Sequence, residues 1–99
     1  MTTTDSDENV KKIADAVLQQ QLAACVQILP IQSRYVWKGN IESGSEFLML
    51  FKAKSSDYEA LQKVISSNHS YEVPEVISLD IEKGSAAYFD WITNSTRSE

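Results

Sequence analysis

One cysteine in 99 residues, Cys25, excludes an intrachain disulfide and fits a reducing compartment. Histidine is as scarce: His69 stands alone, with no His-Glu-x-x-His and no paired Cys-x-x-Cys to build a closed zinc centre. The three glycines, Gly39, Gly44 and Gly84, are too scattered to cradle a phosphate. Nine lysines and arginines against fourteen acidic residues leave a formal charge of −5, which lacks the basic face that nucleic acid requires. That charge attracts cations and keeps the chain soluble. The longest apolar run is too short to span a bilayer, and Met1 to Asn9 is too polar for a secretory core, so no membrane partner is expected and the expected location is the cytoplasm. A catalytic triad would have to use His69 with no nucleophile in sight. Cys25 lies among apolar neighbours and is expected to be a buried, unactivated thiol. These absences point away from an enzyme.

What remains reads as one α+β domain over residues 1–99 with a thin core, the kind that partner subunits relieve. Met1 to Thr4 reads as a short strand. Ser6 is a helix N-cap, with Asp7 and Glu8 meeting the dipole and Val10, Ile13, Ala14 and Val17 in helical period, giving a helix from Asp7 to Gln20. Ala24 to Leu29 reads as a strand ended by Pro30, and Ser33 to Trp37 as another. Turn signals follow at Lys38-Gly39-Asn40 and Gly44-Ser45, then a strand from Glu46 to Lys54. Ser56-Asp57-Tyr58-Glu59 has the form of a capping box, opening a second helix that ends near Asn68. Glu75 to Asp80 reads as a further strand, and Gly84-Ser85 open a short last helix whose Tyr88, Trp91 and Ile92 share a face. The polar tail 94–99 is expected to fray.

The order of elements predicts a ferredoxin-like sandwich, an antiparallel sheet with two main helices on one face and a short C-terminal helix. Two helices cover one face only, yet Phe47-Leu48-Met49-Leu50-Phe51 is apolar at every position. Burying one such side chain is worth roughly 1.5–3 kcal/mol, so the second face calls for cover, and another copy of the same sheet supplies it.

Four motifs, Leu22-Ala23-Ala24-Cys25-Val26, Tyr35-Val36-Trp37-Lys38-Gly39, His69-Ser70-Tyr71-Glu72-Val73-Pro74-Glu75 and Tyr88-Phe89-Asp90-Trp91, stand in an order and spacing that resemble the CutA divalent-cation-tolerance family. The resemblance runs from about Ser6 to Ile92. It implies a ferredoxin-like protomer, a homotrimer with sheets packed around a three-fold axis, and tolerance of copper and other divalent cations. The trimer's shape is similar to that of PII signalling proteins, so a signalling or scaffolding trimer binding a small molecule or partner between subunits is the alternative. Two departures stand out: Ser70 where that family usually has proline, and a first strand shorter than the family's.

His69, Glu72 and Glu75 group imidazole and carboxylate donors, a set suited to Cu(II) or Zn(II). One protomer offers too few of them for a closed site, so weak binding of copper or another divalent cation is expected, with no metal required for folding. His69 equally suits a helix C-terminus. Trp37, Lys52, Tyr71, Pro74, Tyr88 and Trp91 are candidates to line an inter-subunit cleft, or simply to pack an interface. Lys52 and Glu75 are candidates for a cross-strand pair there.

Overall fold

A computed structural model of the chain describes residues 1–98. The chain runs β1 (Thr2–Thr4), α1 (Asp7–Gln19), β2 (Cys25–Trp37), β3 (Asn40–Lys52), a 3-10 turn Ser55–Asp57, α2 (Tyr58–Asn68) and α3 (Ala86–Asn94). It is an α+β fold built on a three-stranded antiparallel sheet in the order β1-β3-β2. Helix α1 starts as its sequence dictates, with the Ser6 hydroxyl accepting the Asn9 amide.

The largest correction concerns the middle of the chain. Neither Pro30 nor Gly44-Ser45 breaks a strand: β2 and β3 form one hairpin of thirteen residues a side, in which Pro30 faces Phe47 and Ser33 faces Gly44. Proline is tolerated because β2 is an edge strand, where one amide direction needs no ladder partner. Only Lys38-Gly39 turns the chain. Both residues have positive φ, 51° and 79°, as a tight two-residue hairpin loop requires. At roughly 3.3 Å per residue each arm is about 43 Å long, which accounts for the 45 Å long dimension of the molecule.

The core lies between the sheet and α1 and α2. Met49, Ile13, Val17, Leu22 and Ile65 are essentially sealed, with Phe47 and Phe51 packed against them from the same face of β3. The alternate residues Leu48 and Leu50 point to the other face and are only half-buried. At the tip of the hairpin Tyr35, Val36, Trp37 and Ile41 are exposed, Val36 by 75%.

Helix α2 keeps its apolar stripe at Leu61 and Ile65 but not its capping box. The Asp57 side chain caps nothing, because it is turned inward and both Nε and Nη2 of Arg97 donate to its Oδ1, at 3.0 and 2.8 Å. That pair overturns the frayed tail. Arg97 N–H also donates to Gln21 O, Thr96 is buried, and Lys54 donates to the Arg97 carbonyl. Glu99, the last residue of that tail, lies outside the described residues.

The strand expected over Glu75 to Asp80 is reduced to a single bridge, Val76 to Thr2, flanked by reciprocal backbone bonds between Met1 and Ile77. The physical reason is the length of β1: three residues give residues 78–81 no ladder to join. In α3, Ser85 caps the helix and only Ile92 is buried, while Tyr88 and Trp91 stack on each other in the open.

The Asp57 side chain is 1% exposed and, among the described residues, its Oδ2 has no hydrogen bond, with Lys54 Nζ at 3.9 Å. Removing Arg97 therefore takes both guanidinium hydrogen bonds from a buried carboxylate and leaves it the longer ion pair with Lys54. Arg97→Ala should lower unfolding free energy by on the order of 3 kcal/mol in urea titration; a change below about 0.5 kcal/mol would mean that the tail is not held by this pair.

Candidate functional site

The site grows from one polar residue on an apolar stripe. Asn9 lies one and two turns ahead of Ile13 and Val17, so helix geometry points it into the core, where it is buried. A buried amide must be bonded, and this one is bonded three ways. Thr4 Oγ1 donates to Asn9 Oδ1 at 2.7 Å, Asn9 Nδ2 donates to Asn68 O at 2.9 Å, and the Ser70 amide donates to Asn9 Oδ1 at 3.3 Å. One side chain thus ties β1 and α1 to the last turn of α2 and fixes where residues 69–71 leave the helix.

His69 follows directly. The Tyr71 amide donates to Nδ1 at 3.0 Å, so Nδ1 is an acceptor. Nε2 lies 2.9 Å from the Thr3 carbonyl and 3.2 Å from Thr2 Oγ1; a carbonyl only accepts, so Nε2 carries the hydrogen and the ring is neutral. Burial pushes the imidazole below its ordinary value of 6.5, against the opposing pull of the Thr3 carbonyl, Asp5 and Glu46. Beside it, Tyr71 tilts its ring against the imidazole at 4.8 Å between centroids and donates its hydroxyl to Glu46 Oε2 at 2.7 Å. Burial and the Glu46 carboxylate raise the phenol well above its usual range. The loop is pinned at two points, to β1 through the imidazole and to β3 through the phenol.

The pinning bears on metal binding. Both ring nitrogens of His69 are engaged, while the Glu72 and Glu75 side chains are exposed. No group of three His, Cys, Asp or Glu side chains is arranged to hold an ion among the described residues. The donors of one protomer do not fit a closed copper site, and a ring nitrogen becomes available only if the Tyr71 amide or the Thr3 carbonyl lets go.

The aromatic and charged candidates divide into separate places. Trp37 stands at the hairpin tip opposite Asn40, 59% exposed. Lys52 is at the far end of β3, roughly 40 Å away along the strand. There Lys52 Nζ donates to Tyr88 Oη at 3.4 Å and sits 5.5 Å from the Tyr88 ring centre, with Trp91 stacked behind. Lys52 and Glu75 do not pair among the described residues, because Tyr88 takes the ammonium. Tyr71 and Pro74 belong to the His69 loop and are half-buried. Within one protomer these six residues share no cleft. Cys25, opposite Lys52 at the start of β2, is half-buried rather than sealed, since it faces the side of the sheet away from the helices. Asn9, Thr3 and Glu46 escaped the sequence reading. The available signal was Asn9 itself, a polar residue in step with Ile13 and Val17.

A family model described as CutA1 divalent ion tolerance protein matches residues 1–95. Among curated relatives, the chloroplastic protein CutA of Arabidopsis thaliana is 46% identical over 96 residues, 96% of this chain and 53% of its own. The divalent-cation tolerance protein CutA of Thermus thermophilus is 35% identical, over 97% of this chain and 94% of its own. The chain spans about half the length of the plant and mammalian relatives it matches. Among solved structures, the CutA1 of Oryza sativa superposes with TM-score 0.93 at 39% identity, covering 99% of this chain and 91% of that one. The periplasmic divalent cation tolerance protein CutA of Archaeoglobus fulgidus gives 0.91 at 36%, covering 95% and 92%. These descriptions overturn the expected confinement to the cytoplasm: similar proteins are described as chloroplastic and as periplasmic, so one cysteine and a polar start do not fix a compartment.

The neutral ring predicts a sign. A lowered imidazole favours the folded chain above pH 6.5, and that advantage is lost as pH falls from 6.5 through the folded value. Urea unfolding at pH 7.5 and 5.5 should show a larger acid loss for the wild type than for His69→Gln; equal losses would contradict the neutral, doubly bonded ring.

Proposed function

The chain belongs to the CutA1 divalent ion tolerance family, and from that premise we propose that it is a non-enzymatic divalent-cation tolerance protein, a ferredoxin-like homotrimer that binds copper weakly. The observation that carries the reading is the uncovered side of the hairpin. Leu48 and Leu50 are half-covered on the face away from the helices, and Tyr35, Val36, Trp37 and Ile41 stand in the open at its tip. Side chains of this kind are worth roughly 1.5–3 kcal/mol each when buried, and copies of the same sheet are the nearest cover. Assembly also supports the metal half of the proposal. It multiplies loops carrying His69, Glu72 and Glu75 that are insufficient singly.

Weak binding follows from the same geometry. Copper at His69 must displace a hydrogen bond already made by the ring, whereas Glu72 and Glu75 are exposed and offer oxygen at little cost. The ligand must be neutral imidazole, so affinity falls as pH drops through the imidazole range.

Calorimetric titration with Cu(II) tests this directly. The wild type should bind with modest affinity at pH 7.5 and less at 5.5. His69→Ala and the double variant Glu72→Gln/Glu75→Gln should each weaken binding about tenfold, equivalent to about 1.4 kcal/mol. The double variant, altered only at exposed positions, guards against a loop displaced by loss of the imidazole. No heat with copper, or affinities unchanged in both variants, would contradict the proposal.

A further inference from the structure

Among the described residues Asp57 is the one buried acid, and the proposed metal chemistry leaves it unused. Its grip on the C-terminal strap, residues 95–98, is lopsided. Nε and Nη2 of Arg97 both donate to Oδ1, so a fork that could span both carboxylate oxygens takes only one. Oδ2 is sealed from solvent and, among the described residues, unbonded. Lys54 Nζ stands 3.9 Å from Oδ2 and donates to the Arg97 carbonyl instead.

The two cations are tied to Asp57 in different ways. Lys54 immediately precedes the 3-10 turn Ser55–Asp57, and such a turn brings residues three apart onto one side. Lys54 therefore stays beside Asp57 whatever the tail does. Arg97 arrives from forty residues away, and its side chain is 40% exposed, so water reaches the guanidinium while the carboxylate stays sealed. Most of the strap's other bonds return to α3: Ser95 N–H donates to Trp91 O and Ile92 O, and the buried Thr96 hydroxyl donates to Ile92 O and Thr93 O. The Arg97 N–H bond to Gln21 O, at the end of α1, is the one backbone tie among these that reaches another element. The family match ends at residue 95 and does not account for Arg97.

We infer that Asp57 is a two-position switch that makes the C-terminal strap releasable. Docked, Oδ1 is held by Arg97, and Lys54 holds the Arg97 carbonyl. Released, that carbonyl leaves with the strap, the freed ammonium closes the short gap to Oδ2, and the buried carboxylate keeps a cation. A buried ion pair that loses one partner is ordinarily left with an uncompensated charge, which keeps such contacts shut. Here a second cation takes over, so the strap and the last turn of α3 open as a local unit while α1, α2 and the hairpin hold. That turn carries Trp91, so opening draws Trp91 off its stack on Tyr88, beside Lys52. The switch works within one chain, needs no metal, and governs how that aromatic end is presented.

A double-variant cycle in the full chain reads the switch. Lys54→Gln should lower the urea midpoint at least twice as far in an Arg97→Ala background as in the wild type, because there Lys54 is the cation left to Asp57. If Lys54 only fastens the docked strap, the order reverses, since the strap is already loose; that result, or equal shifts, would overturn the inference. With Asp57→Asn as the background the charge is gone, and the two shifts should simply add. The single variant Arg97→Ala decides the point even if the double variant does not fold. Its crystal structure should place Lys54 Nζ about 3 Å from Oδ2, and an ammonium left 3.9 Å away would contradict the switch. Release itself is read in the wild type by amide hydrogen exchange across a urea series. Ser95 and Arg97 should exchange through an opening nearly insensitive to urea, and Ile13 and Ile65 only through global unfolding. One urea dependence common to all four would show that the strap does not open by itself.

Discussion

Strand β3 is the element on which everything else leans. It is central in the sheet, it pairs along its length with β2, and it holds β1 by three residues. Its stretch from Phe47 to Phe51 is apolar on both faces. The two main helices satisfy one of those faces and seal Met49 beneath Ile13, Val17 and Ile65. They cannot reach the other. A strand apolar on both sides, in a chain with helices for one side, is a physical demand for a partner, and the long hairpin extends that demand out to Trp37. The proposed trimer would answer this constraint, and the proposed copper binding depends on it because one copy brings too few donors together.

A second, polar constraint sets the loop. Asn9 could have been apolar without harm to the helical pattern; as an asparagine in the core it must find partners, and it finds β1 and the end of α2. His69 and Tyr71 then extend the clamp to Thr3 and Glu46. The histidine that attracts attention as a metal ligand is thereby part of the structure, and any cation it takes competes with hydrogen bonds that hold the loop. That competition is the reason for expecting weak rather than tight binding. It also separates tolerance of cations from a stored, structural metal.

Helices were legible in the sequence because their signals are local: Ser6 as a cap, the Val10–Ile13–Val17 stripe, Leu61 with Ile65. The apolar run of β3 was legible for the same reason. Misreadings came where tertiary position decides. Pro30 stops a central strand but not an edge, and no local pattern says which β2 is. Gly44-Ser45 resembles a turn until thirteen paired residues carry the strand through it. Ser56 to Glu59 has the letters of a capping box, yet Asp57 is drawn inward by Arg97, forty residues away. The segment after Glu75 has the composition of a strand and lacks a partner long enough to make it one. At the site, His69 and Tyr71 were visible as residue types; their bonds to Thr3 and Glu46 were not, since those pairings exist only once β1 and β3 lie side by side.

The central claim is that the open face of β3 is covered by copies of this chain. Sedimentation equilibrium at micromolar concentration measures that most directly. The account predicts a single species of three times the mass of one chain, dissociating when Trp37 or Leu50 is replaced by aspartate. A stable, soluble monomer at that concentration would contradict it.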